Sequence, residues 1–533
     1  MANSGQDAIQ RAGFGIEGAE MSEQPGIRSV RDIPAVQSRR LAHRPAVSVN
    51  GATFNYADLG ARAGRASARL RALGLAAGER VAWLGTNSIQ WFDTGFGAAL
   101  ADGCFLPVNY RLSVTEIAYI LDHSQAPLLV VTEDLLALAQ EACALVERAP
   151  QIVTAGFDRP GYARLDSGDL LAARQPDGTG GDILQLYTSG TTGLPKGACL
   201  SDANYCAFLI ASRQIPGFDY DETDTVLIAV PIFHVAGFNV VMASLAAGSH
   251  VIVHREFNAD DVLATIAQDR VTRTFLVPAM INALVHSGSA ADVSSMRSIG
   301  YGASPISEAV LTAAQARFGC DFVQYYGMTE SAGGGSYLAP QDHHGALLRS
   351  CGKPWAGLEM AILGPDGAVL PDGAVGEIAI RGAMVTAGYW RNPEATADAI
   401  RGGWLRTGDA GIRDAASFYF VQDRVKDMIV SGGENIYPAE VENALAGCPG
   451  VVEVAVIGIP SERWGEEVKA IVVAGPAAPS AEQVIAWARE RIASYKLPKT
   501  VDFIPALPRN ASGKVLKREL RAPFWEGRDR SVS

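Results

Sequence analysis

Positive charge, cysteine and membrane-length apolar runs are all scarce in this chain of 533 residues. Charged side chains make up only 19% of it, and 45 Lys and Arg stand against 57 Asp and Glu, for a net charge of −12. Such a balance makes a poor bulk binder of polyanions, which excludes a nucleic-acid scaffold but not one nucleotide held by locally placed donors. The seven cysteines, Cys104, Cys143, Cys199, Cys206, Cys320, Cys351 and Cys448, are odd in number and form no C-x-x-C pair. That excludes a disulfide framework or zinc ribbon and fits reduced thiols in a cytoplasmic protein. Residues 1–30 contain no apolar h-region, so they are not a signal peptide and are expected to be a flexible tail. One run, 226–248, has the length of a membrane span, but Pro231, His234 and Asn239 interrupt it and Asp221, Glu222 and Asp224 precede it. A buried strand, loop and helix are expected there, with no integral membrane segment. Peripheral contact with the inner membrane stays open. No internal repeat of fixed period is found, and the G-x-x-x-x-G-K-[ST] phosphate loop is missing.

Glycine, by contrast, is plentiful: 56 residues spread through a chain long enough for about three or four structural units. From residue 54 to about 148, helical and strand patterns alternate: helix 56–75, strand 80–84, helix 87–101, strand 104–108, helix 114–122 and strand 127–132. Alternation at this spacing predicts βαβ units and a mainly parallel sheet. Strands at 183–187, 250–254, 274–278 and 297–301 are expected to form a second set. After residue 350 the pattern turns to antiparallel strands (376–381 and 418–421). Beyond 424 it becomes a compact α+β set with strands at 428–430, 451–457, 469–473 and 501–504 and helices at 439–446 and 481–492. The predicted class is α/β: a large N-terminal region of several subdomains over 31–424, one of them β-rich, and a small α+β C-terminal domain over 425–533.

The motifs lie at the ends of these strands. After strand 183–187 comes Tyr-Thr-Ser-Gly-Thr-Thr-Gly-Leu-Pro-Lys-Gly at 187–197. It offers backbone N–H groups from Gly190 and Gly193, hydroxyls from Thr188, Ser189, Thr191 and Thr192, and the ammonium of Lys196, which are the parts of a polyphosphate cradle. Gly302, Ala303 and Ser304 follow strand 297–301, a small-residue turn against which a flat ring can lie. Tyr325, Tyr326, Gly327, Met328, Thr329 and Glu330 place aromatic, hydroxyl and carboxylate together at a strand end. Asp409 sits in a tight Thr-Gly-Asp turn, Arg424 and Lys426 in a charged turn at the boundary between the two regions, and Ser431, Gly432 and Gly433 after a short strand. Lys514 closes a polar segment near the C-terminus.

Taken together and in this order, the motifs closely resemble those of the adenylate-forming (AMP-binding) superfamily, acyl-CoA synthetases and fatty-acyl-CoA ligases in particular, from about residue 54 to 518. The resemblance implies ATP, Mg²⁺ and CoA as cofactor and cosubstrates, and a carboxylic acid activated as acyl-AMP and passed to CoA. It implies that residues 188–193 and Lys196 hold phosphates, Gly302–Ser304 line the adenine, Tyr326 stacks on it beside Gly327, and Thr329 contacts phosphate. It further implies that Glu330 holds Mg²⁺, Asp409 and Arg424 hold the ribose, and Lys426 is the hinge of a mobile C-terminal lid. Ser431, Gly432 and Gly433 would border the pantetheine passage, and Lys514 would enter the site for adenylation. His234, Val235, Phe238, Met280, Tyr301, Tyr325, Gly327 and Met328 would line the acyl pocket, with His234 as wall and gate, not as a base. Gly327 stands where acetate-specific members carry Trp, which implies a deeper pocket, and Tyr325 where many relatives carry Gly, which would narrow or redirect it. A medium- or long-chain fatty acid is the expected substrate. An aryl or arylalkanoic acid, or a carrier protein as acceptor, are the alternatives. The oligomeric state is open between monomer and homodimer.

Overall fold

The computed structural model describes residues 26–173, 180–188, 194–304, 306–424, 427–431, 434–509 and 515–526. Ser189, Gly190, Thr191, Thr192, Gly193, Lys426, Gly432, Gly433 and Lys514, all singled out above, lie outside them.

The alternating N-terminal pattern builds two sheets. The first has seven strands in the order Ala163–Arg164, Gln151–Thr154, Leu128–Val131, Arg80–Leu84, Cys104–Pro107, Asp182–Thr188 and Lys196–Ser201. All neighbours run parallel except the last pair, a hairpin. Arg80–Leu84 and Leu128–Val131 are buried at every position, as parallel strands covered on both faces require. The helices between them start at strong caps. Asn55 and Asp58 exchange side-chain and backbone bonds at the head of Tyr56–Ala72, and Ser113 and Glu116 do so before Val114–Ser124.

Strand 183–187 was expected with the second set. Instead Leu184 pairs in parallel with Phe105, in the first sheet. The reason is the hairpin: the chain returns at once along Lys196–Ser201 and leaves this sheet only through helix Asp202–Ser212.

The second sheet has nine strands, in the order Lys353–Pro354, Gly335–Leu338, Asp321–Gly327, Ser298–Gly302, Arg273–Leu276, Thr225–Ile228, His250–Val253, Pro45–Val49 and Ala52–Asn55. Its middle is parallel and both of its ends are antiparallel. The hairpin at one edge turns at Asn50 and Gly51, with φ of 52° and 76°. Asn-Gly is the residue pair that a two-residue hairpin with positive φ favours, a signal the alternation from residue 54 onward did not use. The apolar run 226–248 folds as strand Thr225–Ile228, a turn and helix Val235–Ala247, which Gly248 ends at φ 94°. Among the described residues no helix is long and apolar enough to cross a membrane.

The packed body starts before residue 31. Ile27, Ser29 and Val30 are buried, Ser29 Oγ donates to Asp202, and Arg31 pairs with Asp102. The tail expected over 1–30 therefore does not extend to 26–30, because Asp102 and Asp202 supply partners there. A third, antiparallel sheet holds Leu358–Leu363, Gly376–Gly382, Trp404–Arg413, Ile400–Arg401 and Tyr419–Arg424. The C-terminal sheet holds Glu434–Ile436, Ile429–Ser431, Gly465–Ala474, Val451–Ser461 and Thr500–Phe503. Sheet membership changes between Arg424, paired with Asp409, and Ile429, paired with Ile436.

Candidate active site

The end of strand Asp321–Gly327 gathers most of the polar groups. Successive strand residues point to opposite faces, so Tyr325 and Tyr326 diverge. The Tyr326 hydroxyl donates to Asp409 Oδ2 at 2.7 Å. Arg424 Nε lies 2.8 Å from Asp409 Oδ1, and its NH1 donates to the Thr407 carbonyl at 2.9 Å. Asp409 is only 9% exposed, and its turn is set by Gly408 at φ 72°. Burial, and then the Asp409 charge, push the Tyr326 phenol far above its usual range, so it stays a neutral donor. The Tyr326–Asp409–Arg424 chain joins a strand of the nine-stranded sheet to two strands of the antiparallel one. Among the described residues each carboxylate oxygen of Asp409 has one of these partners, and a carboxylate oxygen has lone pairs enough to accept from a second donor.

Glu330, in the short 3-10 turn Thr329–Ser331, is buried. Its Oε1 accepts from the Tyr389 hydroxyl at 2.8 Å and from Thr188 Oγ1 at 3.3 Å. Thr188 pairs with Lys196 across the hairpin of the first sheet, and the Lys196 ammonium lies 5.3 Å from the centroid of the Tyr389 ring. Hydroxyls, ammonium and carboxylate thus meet where two sheets abut. Glu330 with Thr188 is an all-oxygen set of the kind Mg²⁺ takes, and substrate phosphates would complete it. Among the described residues no group of three His, Cys, Asp or Glu could hold an ion unaided. Tyr389 was not among the sequence candidates. Its only signal was the aromatic pair in Gly388-Tyr389-Trp390, ahead of the Asn392 cap and Pro393.

Gly302 ends its strand, and a Cβ there would lie inside contact distance of the Tyr325 carbonyl oxygen. Close packing within the sheet therefore requires this glycine, whatever lies beyond it. Ala303 is exposed at φ 68°, a left-handed conformation that costs a non-glycine residue about 1–2 kcal/mol, and Ser304 beside it is half-buried. Ser431 is half-buried at the end of its strand, opposite Glu434 and Gly465.

The apolar candidates separate into two faces. His234, Val235, Met280 and Met328 are half-buried, and Gly327 is exposed. Val235 and Met280 pack against the cluster holding Phe238 and Tyr325. Phe238 is core, edge-on to Trp91 at 5.7 Å and Tyr205 at 5.2 Å, and contributes no open wall. Tyr301 is not with this group. It pairs with Gln324, packs into a different cluster and places its hydroxyl 3.1 Å from His343 Nε2. The two-residue period of the strand puts it on the opposite face from Tyr325.

Tyr325 is held on all sides. Its hydroxyl donates to the Pro216 carbonyl at 2.9 Å, and its ring lies 4.9 Å from Phe218, 6.3 Å from Phe275 and 6.2 Å from Trp355. Its edge also fills the space in front of Gly300, where a Cβ would come within 2.7 Å. Gly327 is bare for a local reason: a Cβ would press on the Gly333 carbonyl oxygen. The strap 333–335 is in turn fixed by Asn239, which donates to the Ala332 carbonyl at 2.8 Å and accepts from Tyr205 at 3.1 Å. His234 Nε2 is enclosed and has no hydrogen-bond partner. Burial, helped by the nearby Arg111 charge, lowers its pKa to about 4, so the imidazole is neutral and a weak base.

Two sheets meeting an antiparallel one, with strand-end hydroxyls, a buried glutamate and a Tyr–Asp–Arg chain at the junction, define an adenylate-forming enzyme, and the chain belongs to that family. The AMP-binding enzyme family model matches residues 35–390, and the model of its C-terminal domain matches 440–514. Curated relatives include a fatty acid–[acyl-carrier-protein] ligase, ScoC, of Streptomyces coeruleorubidus, 37% identical over 92% of this chain and 95% of its own. A feruloyl-CoA synthase of Amycolatopsis sp. is 39% identical over 92% of this chain and 98% of its own. Among solved structures, the amide bond synthetase McbA of Marinactinospora thermotolerans superposes with a TM-score of 0.84 at 28% identity, covering 93% of this chain and all of that one. The chain is an enzyme of the acid–thiol ligase class, and its particular acid is a separate question.

Proposed function

We propose that this protein is an ATP-dependent acyl-CoA synthetase for a compact hydrophobic carboxylic acid, of medium chain length or arylalkanoic. In the first step the acid attacks ATP·Mg²⁺, giving acyl-AMP and pyrophosphate; in the second a thiol displaces AMP. The Tyr326–Asp409–Arg424 chain supports a ribose site, since a carboxylate held in register can accept two sugar hydroxyls. Glu330, Thr188 and Lys196 support a polyphosphate and Mg²⁺ site, where the ion would screen phosphate charge while the residues position it. Lys514 is assigned to adenylation, and the Ser431 loop to thioester formation after a turn about Lys426.

Tyr325 carries the choice of acid. Its ring is buried in the cluster against which Val235 and Met280 pack, with its hydroxyl already satisfied, and we assign it as the floor of the acyl pocket. As a floor the ring would stop a long straight chain, which favours a shorter or ring-bearing acid over the long-chain end of the expected range. An aryl acid, as named for the feruloyl relative, is the second reading for the acid, and a carrier protein, as named for the ScoC relative, is the rival acceptor.

The test is pyrophosphate release across a panel of fatty, aryl and arylalkanoic acids, with CoA, with holo-carrier protein, or with neither. Activity peaking on C16–C18 acids, or thioester on the carrier protein but not on CoA, would overturn the assignment. Lys514→Ala is expected to abolish acyl-AMP formation and to leave thioester formation from supplied acyl-AMP largely intact. Equal loss of both would refute the division of labour.

A further inference from the structure

The loop carrying Tyr389 is built as an added strand. Tyr389 pairs with Ala198, Trp390 N donates to the Gly197 carbonyl at 2.7 Å, and Cys199 N donates to the Gly388 carbonyl at 3.1 Å. Segment 386–390 thus extends the edge of the hairpin that bears Thr188 and Lys196. It is also tied to the Glu330 turn, because Thr386 N donates to the Glu330 carbonyl at 2.7 Å. The flanks are pinned too. Tyr389 N donates to Thr396 Oγ1 at 2.9 Å, Trp390 Nε1 donates to the His123 carbonyl at 3.2 Å, and the Arg80 guanidinium stacks 3.4 Å above the Trp390 ring. A backbone fixed at so many points aims the Tyr389 side chain in one direction. Its hydroxyl meets Glu330 Oε1 and its ring faces the Lys196 ammonium.

We propose that Tyr389 is a positioning residue for the metal and phosphate end of the site: its hydroxyl orients the Glu330 carboxylate and its ring holds Lys196 in place. This rests on the assignment of Glu330 and Lys196 to ATP·Mg²⁺. Both hydroxyl donors, from Tyr389 and Thr188, fall on Oε1, and among the described residues no side chain takes Oε2. A carboxylate fixed through one oxygen presents the other without having to be ordered when the ligand arrives. Lys196 has a long flexible stem, and the aromatic face limits where its charge can rest.

Two full-length variants separate the parts. Tyr389→Phe keeps the ring and loses the bond to Glu330; Tyr389→Leu loses both. ATP affinity is measured by calorimetry with Mg²⁺ and with EDTA, alongside thermal unfolding and thioester formation from supplied acyl-AMP. For Tyr389→Phe, the gain in ATP affinity that Mg²⁺ confers should shrink about tenfold, the scale of one hydrogen bond to a charged group, while affinity in EDTA holds. Tyr389→Leu should in addition weaken ATP in EDTA about threefold through Lys196. Thioester formation from acyl-AMP should be unchanged in both. An unaltered Mg²⁺ effect in Tyr389→Phe, or equal losses in every readout together with a lowered unfolding midpoint, overturns the proposal. If the parent enzyme shows no Mg²⁺-dependent ATP binding, the assignment of Glu330 fails first and takes the proposal with it.

Discussion

If Tyr325 forms the pocket floor as proposed, Tyr325→Ala should lengthen the acids the enzyme accepts, at a measurable cost in stability. The ring is buried among Phe218, Phe275 and Trp355, and its hydroxyl is bonded to Pro216. Truncating such an aromatic costs about 3–5 kcal/mol, from lost transfer energy and the cavity left behind. On the proposed assignment of Tyr325 to the pocket floor, that cavity adjoins the acyl site and an acid chain can extend into it. Each methylene buried there contributes about 0.8 kcal/mol, or about fourfold in kcat/KM per carbon until the cavity is full. The assay is pyrophosphate release against straight-chain acids from C4 to C16, for parent, Tyr325→Ala and Tyr325→Phe. Tyr325→Phe separates the two effects. It gives up only the hydrogen bond to Pro216, about 0.5–1.5 kcal/mol, and should keep the parent's chain-length profile. The reasoning is refuted if Tyr325→Ala is destabilised yet its optimum stays at the parent's chain length, because the ring would then fill core and not the pocket floor.

Asp409→Asn removes the carboxylate 2.8 Å from Arg424 Nε and an acceptor from the proposed ribose site. ATP affinity measured by calorimetry should fall about 10–100-fold, the acid KM should hardly move, and an unchanged affinity would remove Asp409 from the site. His234 has a folded pKa of about 4 against 6.5 for the free side chain, so between those values the unfolded chain binds the extra proton. The contribution is therefore neutral at pH 7, and stability falls as pH drops from about 6.5 towards 4. His234→Gln should flatten the slope of the unfolding midpoint over that window, and an identical slope in the variant would show that the imidazole is not held neutral.

Much of this was readable in one dimension, because the relevant signals are local. Fully apolar four- and five-residue runs such as Leu128–Val131 mark parallel strands, and Asn55 and Ser113 mark helix starts. Glu330, Tyr326 and Asp409 were legible as candidates because motif order is a property of sequence. What depends on register or on pairing partner was not. Nothing near Ile183 says which of two sheets it joins, and nothing near Tyr301 says that it faces away from Tyr325 until its pairing with Gln324 is known. Gly327 and Gly302 looked like room left for ligand, whereas neighbouring backbone at Gly333 and Tyr325 already demands them. Tyr389 escaped notice because its local signal, an aromatic pair in a loop, says nothing of its partners; Lys196 and Glu330 lie far away along the chain.

The junction of sheets at Glu330 also has a consequence for how the enzyme acquires activity after synthesis. Thr188 and Lys196 come from one sheet, Glu330 from a turn between two strands of a second, and Tyr389 and Asp409 from later in the chain. None of these contacts is local, so loop-closure entropy delays them until the separate sheets have formed. In refolding from denaturant, helical signal should return ahead of nucleotide binding, and that lag would measure the docking of subdomains rather than their folding.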